Sequence, residues 1–207
     1  MSTQAASASS VSLNGSGGVL LTNLSSRTRV GCKGPAAERW LEQRGITVPH
    51  GANRFSVDAR GVLSARLATS EFLFESTRDS AAAALASMKQ ALELSEMPSG
   101  VYPVLRQDFV VEISGPNVHE LFAQTCAVDL APVERESSAT AGPVIMTSMI
   151  GISVVLVCRP SADGPRFTVW SDPSYGHYFW TQLLAIATHP GGVADPALPT
   201  RSGGLHP

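Results

Sequence analysis

The sequence DFVVEISGPNVHELFAQTCAVDL at residues 108–130 predicts the organisation of the whole chain. Residues 109–114 read as a strand, Gly115-Pro116 interrupts it, and a short amphipathic helix follows. Proline suits the first turn of a helix, because the N–H that it lacks would have no partner there. Three apolar residues share one helix face at i, i+3 and i+4: Val118, Leu121 and Phe122. This unit therefore predicts a helix that covers a sheet.

The same unit occurs earlier, where the strand 29–33 leads into Gly34-Pro35 and a helix containing Trp40 and Leu41. The offset is constant, because 115 − 34 and 116 − 35 both equal 81. It aligns Trp40 with Leu121 and Leu41 with Phe122. Each unit is followed by a strand that enters a further helix, 70–75 in the first case and 166–172 in the second. The fold prediction is therefore α+β, with two related βαββα-like halves from an internal duplication. The alternative is two unrelated turns that share a Gly-Pro dipeptide.

Composition limits the classes of protein that the chain can represent. Its 207 residues fit one domain, and 43% hydrophobic against 15% charged residues predicts a well-filled core with a weakly charged exterior. A formal net charge of −2 argues against a nucleic-acid partner. Three widely spaced cysteines suit a reducing compartment without a disulfide framework.

The predicted domain boundaries follow the same composition. Residues 1–18 are a Ser/Ala/Gly-rich tail that we expect to be disordered, 19–187 a single folded domain, and 188–207 a flexible Gly/Pro-rich tail. The pseudo-repeats span about 25–97 and 101–187 and meet at residues 98–100, and residues 134–142 read as a polar loop. The longest apolar run, 149–158, is about half of a bilayer span. We therefore expect no membrane association, no export signal and a cytoplasmic location.

A search for catalytic or metal-binding patterns favours none. His119-Glu120 begins like a zinc-protease helix, but Ala123 stands where the second histidine would be. The cysteines lack Cys-x-x-Cys spacing, and no phosphate-binding glycine loop or Gly-x-Ser-x-Gly turn is present. We therefore expect no catalytic residue, metal site or bound cofactor in this chain.

Two groups of residues could still serve binding. Three polar residues near strand ends could hold a ligand, although solvated ion pairs are the commoner role for such residues: Arg66, Arg106 and Asp108. Four aromatic residues come near the last helix: Trp170, Tyr175, Tyr178 and Trp180. Such aromatics usually form core or interface, and a stacking site for a base or cofactor is the less common alternative. We predict Tyr175, Tyr178 and Trp180 as interface candidates.

Several blocks, in order and spacing, resemble the gamma subunit of bacterial heterotetrameric sarcosine oxidase. They are RVGCKGP at 29–35, WL at 40–41, ARLATSEFL at 65–73, VYPVLRQD at 101–108, SGP at 114–116, LF at 121–122, VDL at 128–130 and TS at 147–148. The resemblance spans roughly residues 20–187. That family is in turn similar to the folate-binding part of the glycine-cleavage aminomethyltransferase, a fold of two related α+β halves.

The resemblance implies a role within a flavoenzyme of four subunits. That enzyme oxidatively demethylates sarcosine to glycine and hydrogen peroxide, and releases the one-carbon unit as methylenetetrahydrofolate or formaldehyde. FAD, FMN, NAD, tetrahydrofolate and zinc belong to the partner subunits in this picture. The chain itself would be a non-catalytic companion of the alpha, beta and delta subunits, packed mainly against the folate-binding domain of alpha.

One departure from the family keeps other interpretations open. The aminomethyltransferases carry a Gly-Tyr-Thr-Gly-Glu-type segment about where this chain reads MIGISV at 149–154, which is apolar. No folate-binding residue is therefore carried over. The alternatives are a free-standing folate or small-ligand module, a shortened folate-dependent aminomethyl carrier that is itself an enzyme, or a subunit of an oxidase or dehydrogenase for another N-methyl amine.

Overall fold

Short, largely apolar runs build one antiparallel sheet in this computed structural model, which describes residues 10–11, 18–93 and 98–187. The strands of the described residues are β1 (Ser10–Val11), β2 (Leu20–Asn23), β3 (Arg29–Lys33), β4 (Arg54–Val57), β5 (Val62–Ala68), β6 (Glu71–Ser76), β7 (Tyr102–Val104), β8 (Phe109–Ser114), β9 (Ala141–Met149), β10 (Ile152–Ser161) and β11 (Gly164–Ser171). The helices are α1 (Ala37–Glu42), α2 (Asp79–Glu93), α3 (Val118–Thr125), α4 (Ala131–Arg135) and α5 (Gly176–Ala187), with a 3₁₀ turn at Pro173–Tyr175 before α5. The fold is thus mixed α+β, as the sequence predicts.

The strand order shows two halves with the same arrangement. The full order is β1-β2-β8-β11-β10-β9-β4-β5-β6-β3-β7, and the paired strands run antiparallel. Read outward from the centre, the first half is β4-β5-β6-β3-β7 and the second is β9-β10-β11-β8-β2. The two halves join where β4 pairs with β9, with Phe55 opposite Gly142.

In each half, the outermost strand comes from the segment of the chain that precedes the other half's Gly-Pro unit. β2 precedes the first Gly-Pro unit but pairs with β8 of the second half, and β7 precedes the second unit but pairs with β3 of the first. This exchange links the two halves, because β2 completes the strand order of the second half and β7 completes that of the first.

The two Gly-Pro turns have matching geometry. Gly34 and Gly115 both adopt positive φ, +123° and +110°, which glycine tolerates without steric cost. A Cβ at Gly34 would collide with the carbonyl oxygen of Gly100, and one at Gly115 with that of Gly18. Pro35 and Pro116 both lie in the turn, two residues before their helices begin. Pro116 is therefore outside α3, whose N-cap is Asn117, and not in its first turn as predicted.

Helices cover the outer faces of the sheet, and the inner faces pack together. In the first half α1 and α2 cover Val30, Cys32, Phe72 and Phe74. In the second half the outer-face core combines strand residues with helix residues: Val111, Ile113, Phe167, Val169, Val118, Leu121, Phe122, Val133, Phe179 and Leu183. The inner faces share a third core: Leu24, Phe55, Leu63, Ala65, Leu67, Leu73, Val110, Val144, Val157 and Trp170. Helical periodicity places four apolar residues on one face of α2, and this face is buried: Ala81, Leu85, Met88 and Leu92.

Some local predictions differ from the structure. The sequence predicts Asp79 as the cap of a helix that begins at Ser80, whereas Asp79 is the first residue of α2. The predicted loop 134–142 is shorter, because α4 extends to Arg135 and β9 begins at Ala141. Of the predicted N-terminal tail, Ser10–Val11 pairs with β2, while residues 1–9 and 12–17 lie outside the described residues, as does the tail 188–207. No helix of the described residues is long and apolar enough to span a bilayer.

Candidate functional site

The inner faces of the two halves meet at a buried carboxylate. Glu75 of β6 points inward because its neighbours Phe72 and Phe74 pack outward beneath α2, and it is fully buried. The indole N–H of Trp170, from β11 of the other half, donates to its Oε2 at 2.7 Å. This hydrogen bond joins the halves across the shared core.

Two arginines compensate the charge of Glu75. Arg27 approaches Oε1 and Arg29 approaches Oε2, each at 3.3 Å. Arg29 also donates to the carbonyl oxygens of Ser25 (2.6 Å), Asp108 (3.0 Å) and Leu24 (3.2 Å). A buried carboxylate is tolerated only when it is paired and hydrogen-bonded, and Glu75 is both.

A second ion-pair group continues from this cluster along the segment between β7 and β8. Arg106 donates to Glu71 Oε1 at 2.8 Å. Asp108 lies between Arg29 and Arg106, with nitrogen–oxygen distances of 4.0 and 3.9 Å, beyond hydrogen-bond length. Within the described residues, the buried Oδ2 of Asp108 has no hydrogen-bond partner.

Cavities open on both sides of this segment. The largest, about 690 Å³, lies between β6, β9, β10 and β11, and its lining includes Leu105, Asp108, Met146, Trp170 and Ser171. A second of about 440 Å³ and a third of about 370 Å³ lie toward β3 and α2, and both include Arg106. The Oγ of Ser171 is buried and has no hydrogen-bond partner among the described residues. We take this inter-half cleft as the candidate functional site.

The structure separates the three polar residues predicted from the sequence. Arg106 and Asp108 come together in the cleft. Arg66 lies instead beside α1, where it makes a two-bond ion pair with Glu38 at 2.7 and 2.8 Å, the structural role that the sequence favoured. His119 pairs with Glu134 at 2.9 Å on the outside of α3 and α4. No group of three or more potential metal ligands occurs in the described part of the chain.

The four aromatic residues do not form one cluster. Trp170 belongs to the shared core, and Trp180 packs edge-on against Phe109 with centroids 6.3 Å apart. Tyr175 and Tyr178 are 51% and 46% exposed, so these two present apolar surface beside α5.

The apolar segment that departs from the family forms the tip of a hairpin. Met149 ends β9, Ile150-Gly151 makes the turn, and Ile152 begins β10. Ile150 has φ +51°, which is uncommon for a β-branched residue. The tip is held from two sides, because Ile150 N–H donates to Thr125 and the Tyr178 hydroxyl donates to the Ile150 carbonyl.

The two buried cysteines, Cys32 and Cys158, are in environments that make their thiols unreactive. Burial raises the pKa of the Cys32 thiol to about 12, and Arg106 opposes that rise. Burial, assisted by Glu134 and opposed by Arg159, raises the pKa of the Cys158 thiol to about 12. Neither thiol is a nucleophile near neutral pH, because the thiolate is the reactive form.

Sequence reasoning did not find the Glu75 cluster. A signal was present, since Glu75 directly follows the apolar run Phe72–Phe74 within β6, and the alternation of side chains along a strand points it away from Phe74 and into the inner face. Its partners are Arg27 just before β3, Arg29 in β3 and Trp170 in β11, and only the tertiary fold brings them together.

The comparisons with known proteins give information about the fold alone. No family model matches the chain, and no curated protein matches its sequence. Among solved structures, the glycine cleavage system aminomethyltransferase T from Bartonella henselae is similar, with a TM-score of 0.54 and 14% identity over 81% of this chain and 45% of that one. The chain thus spans less than half the length of this neighbour. The likeness shows that the chain has an aminomethyltransferase-like fold.

Proposed function

We propose that this chain is the non-catalytic gamma-type subunit of a heterotetrameric, sarcosine oxidase-type flavoenzyme. Its large exposed apolar side chains carry the proposal: Tyr102, Leu105, Val128, Met146, Tyr175 and Tyr178. Leu105, on the segment between β7 and β8, is 78% exposed, and Met146 opens onto the same cleft. Exposed apolar side chains that line one cleft together, as Leu105 and Met146 do, favour a protein partner. The proposed partner is the folate-binding domain of the alpha subunit.

The ion pairs of the cleft support a structural role. Arg106 is held by Glu71, and Arg29 by Glu75 and three carbonyl oxygens, so these arginines already have partners. In this proposal the flavins, the dinucleotide, tetrahydrofolate and zinc are bound by the partner subunits, and the complex carries out sarcosine oxidation.

The test is co-purification of the tagged chain from its natural host. We expect partners that carry a flavin absorption band and produce hydrogen peroxide from sarcosine. The double variant Tyr175→Asp/Tyr178→Asp should release the chain from these partners without loss of its own fold. Ala86→Asp/Gln90→Asp, which places the same two negative charges on the exposed side of α2, is the control and should retain them. A chain that stays monomeric and soluble at high concentration, with no partner, would refute the proposal.

A folate or other small-ligand module is the second candidate, and the cleft favours it. The 690 Å³ cavity is large enough for a small ligand. Asp108 and Ser171 line it, and within the described residues the Oδ2 of Asp108 and the Oγ of Ser171 have no hydrogen-bond partner. Titration of the full chain with tetrahydrofolate tests this candidate through tryptophan fluorescence, to which Trp170 of the cavity lining contributes. Saturable quenching that Asp108→Asn weakens would support it, and unchanged fluorescence would exclude this site for folate.

We also propose that the two halves arose by internal duplication. The equal strand order, the matched Gly-Pro turns and the burial of Trp40, Leu41, Leu121 and Phe122 support this origin. An experimental structure in which superposed halves do not bring Pro35 onto Pro116 would contradict it.

A further inference from the structure

We infer that a pocket beneath α2, on the outer face of the first half, binds a small, largely apolar molecule with one polar end. Its volume of about 370 Å³ is at the lower end of the range of ligand pockets, about 300–1,000 Å³. The buried residues of its lining form its base: Val62, Ser64, Phe74, Leu85 and Met88. This α2 pocket lies on the other side of the sheet from the inter-half cleft, and its occupancy does not depend on the subunit proposal.

The strand register shows that the second half fills the equivalent space with its own side chains. Three residues lie in one row across β3, β6 and β5 of the first half: Val30, Phe74 and Ser64. The corresponding row of the second half crosses β8, β11 and β10: Val111, Val169 and Leu156. The rows correspond because Val30 and Val111 differ by the offset of 81 that relates the Gly-Pro turns. Ser64 therefore stands where Leu156 is fully buried in the core of the second half.

The helix above the pocket is also less bulky than its counterpart. Ala84 and Ala91 of α2 pack beside the core of the first half, and both line the pocket. The counterpart α5 packs three larger side chains against the core of the second half: Trp180, Leu184 and Ile186. Protein interiors are normally close-packed, and an apolar space of this kind is suited to an apolar guest. The same architecture is thus filled by the chain itself in one half and left open in the other.

The mouth of the pocket is polar, and this indicates where the polar end of a ligand would lie. Arg60 at the mouth is paired with Asp58 at 2.8 Å. Arg44, also at the mouth, lies over the ring of Trp40 at 4.0 Å from the centroid and has no ion pair within the described residues. Its exposed guanidinium group can donate to an oxygen of the ligand without losing a carboxylate partner. An apolar body beneath α2 and one oxygen-bearing end at Arg44 therefore match this lining.

Isothermal titration of the full chain, in the assembly in which it purifies, with sodium octanoate and separately with octan-1-ol tests the pocket. The two probes share one alkyl chain and differ in the polar end, and we expect saturable binding of at least one of them. Ser64→Leu introduces the side chain that the second half has at this position. It should weaken binding about tenfold or more, because it displaces about two methylene groups of the ligand. Ala84→Leu should have the same effect from the helix side.

A matched control separates the pocket from non-specific apolar binding. Ala86→Leu adds the same side chain on the exposed side of α2 and should change the affinity by less than about twofold. Circular dichroism and melting temperature check that each variant is folded, and Ala84→Leu alone suffices if Ser64→Leu does not fold.

The two probes also identify the class of the polar end. Tighter binding of octanoate, with the difference lost in Arg44→Gln, indicates an anionic ligand, and equal binding of both probes indicates an uncharged one. Either result supports the pocket. Absence of saturable binding by both probes, or binding that Ala84→Leu leaves unchanged, would overturn the inference.

Discussion

Glu75→Gln should destabilise the protein far more than Glu71→Gln, although both residues lie in β6 and both pair with arginine. Glutamine keeps the shape of glutamate and can still accept the indole N–H of Trp170. It removes the charge that faces Arg27 and Arg29 at 3.3 Å. The comparison isolates burial, because the side chain of Glu75 is fully buried and that of Glu71 is 35% exposed.

The expected magnitudes follow from the fate of the stranded arginines. Removing one partner of a buried ion pair costs about 3–5 kcal/mol, because a charge is left in the core without compensation. Arg29 retains Asp108 at 4.0 Å and three carbonyl oxygens, so we expect Glu75→Gln to cost about 3 kcal/mol, at the low end of that range. The pair of Glu71 with Arg106 is only partly buried, so its loss should cost less, about 1 kcal/mol.

Urea unfolding followed by circular dichroism measures both differences in the free energy of unfolding. Equal slopes against urea concentration would show that the comparison concerns stability and not a change in the denatured state. Glu75→Gln should also alter the near-ultraviolet signal of Trp170, whose N–H loses an ionised acceptor. Equal costs for the two variants, or a cost below about 1 kcal/mol for Glu75→Gln, would refute the view that Glu75 is a buried, charge-compensated link between the halves.

Three further predictions follow from the geometry. Gly34→Ala should lower the free energy of unfolding by more than about 2 kcal/mol, because its Cβ meets the Gly100 carbonyl, whereas Gly45→Ala, at φ +68° with free space, should cost about 1 kcal/mol; equal costs in chemical unfolding would contradict the steric argument. Cys126, the half-buried cysteine, should react first with a thiol reagent at pH 8. Burial raises the pKa of the Cys32 and Cys158 thiols to about 12, so fast labelling of either would show that the core opens readily. Hydrogen bonds from Ser174 lower the pKa of Asp172 below its ordinary 3.8, so its stabilising effect is present above that value and is lost as the pH falls through the folded pKa. Asp172→Ala should therefore lower the melting temperature at pH 7 and lose this difference in strong acid; a difference independent of pH would contradict the ionised cap.

Local sequence patterns determined most of the elements. β8 has the predicted bounds, and β6 lies one residue along from the predicted strand 70–75, because short apolar runs bounded by turn residues indicate a strand without reference to its neighbours. The Gly-Pro turns were also readable, since glycine at positive φ and proline before a helix are local requirements. The buried face of α2 followed from helical periodicity alone.

The tertiary structure decided which strands pair and which polar residues meet. Nothing local indicates that β2 joins the second half or β7 the first, because an extended segment carries no information about its partner beyond which face is apolar. The same holds for the cleft. Glu75 and Trp170 are 95 positions apart, and their hydrogen bond exists only because two inner sheet faces pack together. A sequence can therefore indicate a buried carboxylate by its position in an apolar strand. Only the tertiary fold brings Arg27 and Arg29 to Glu75 and so compensates its charge.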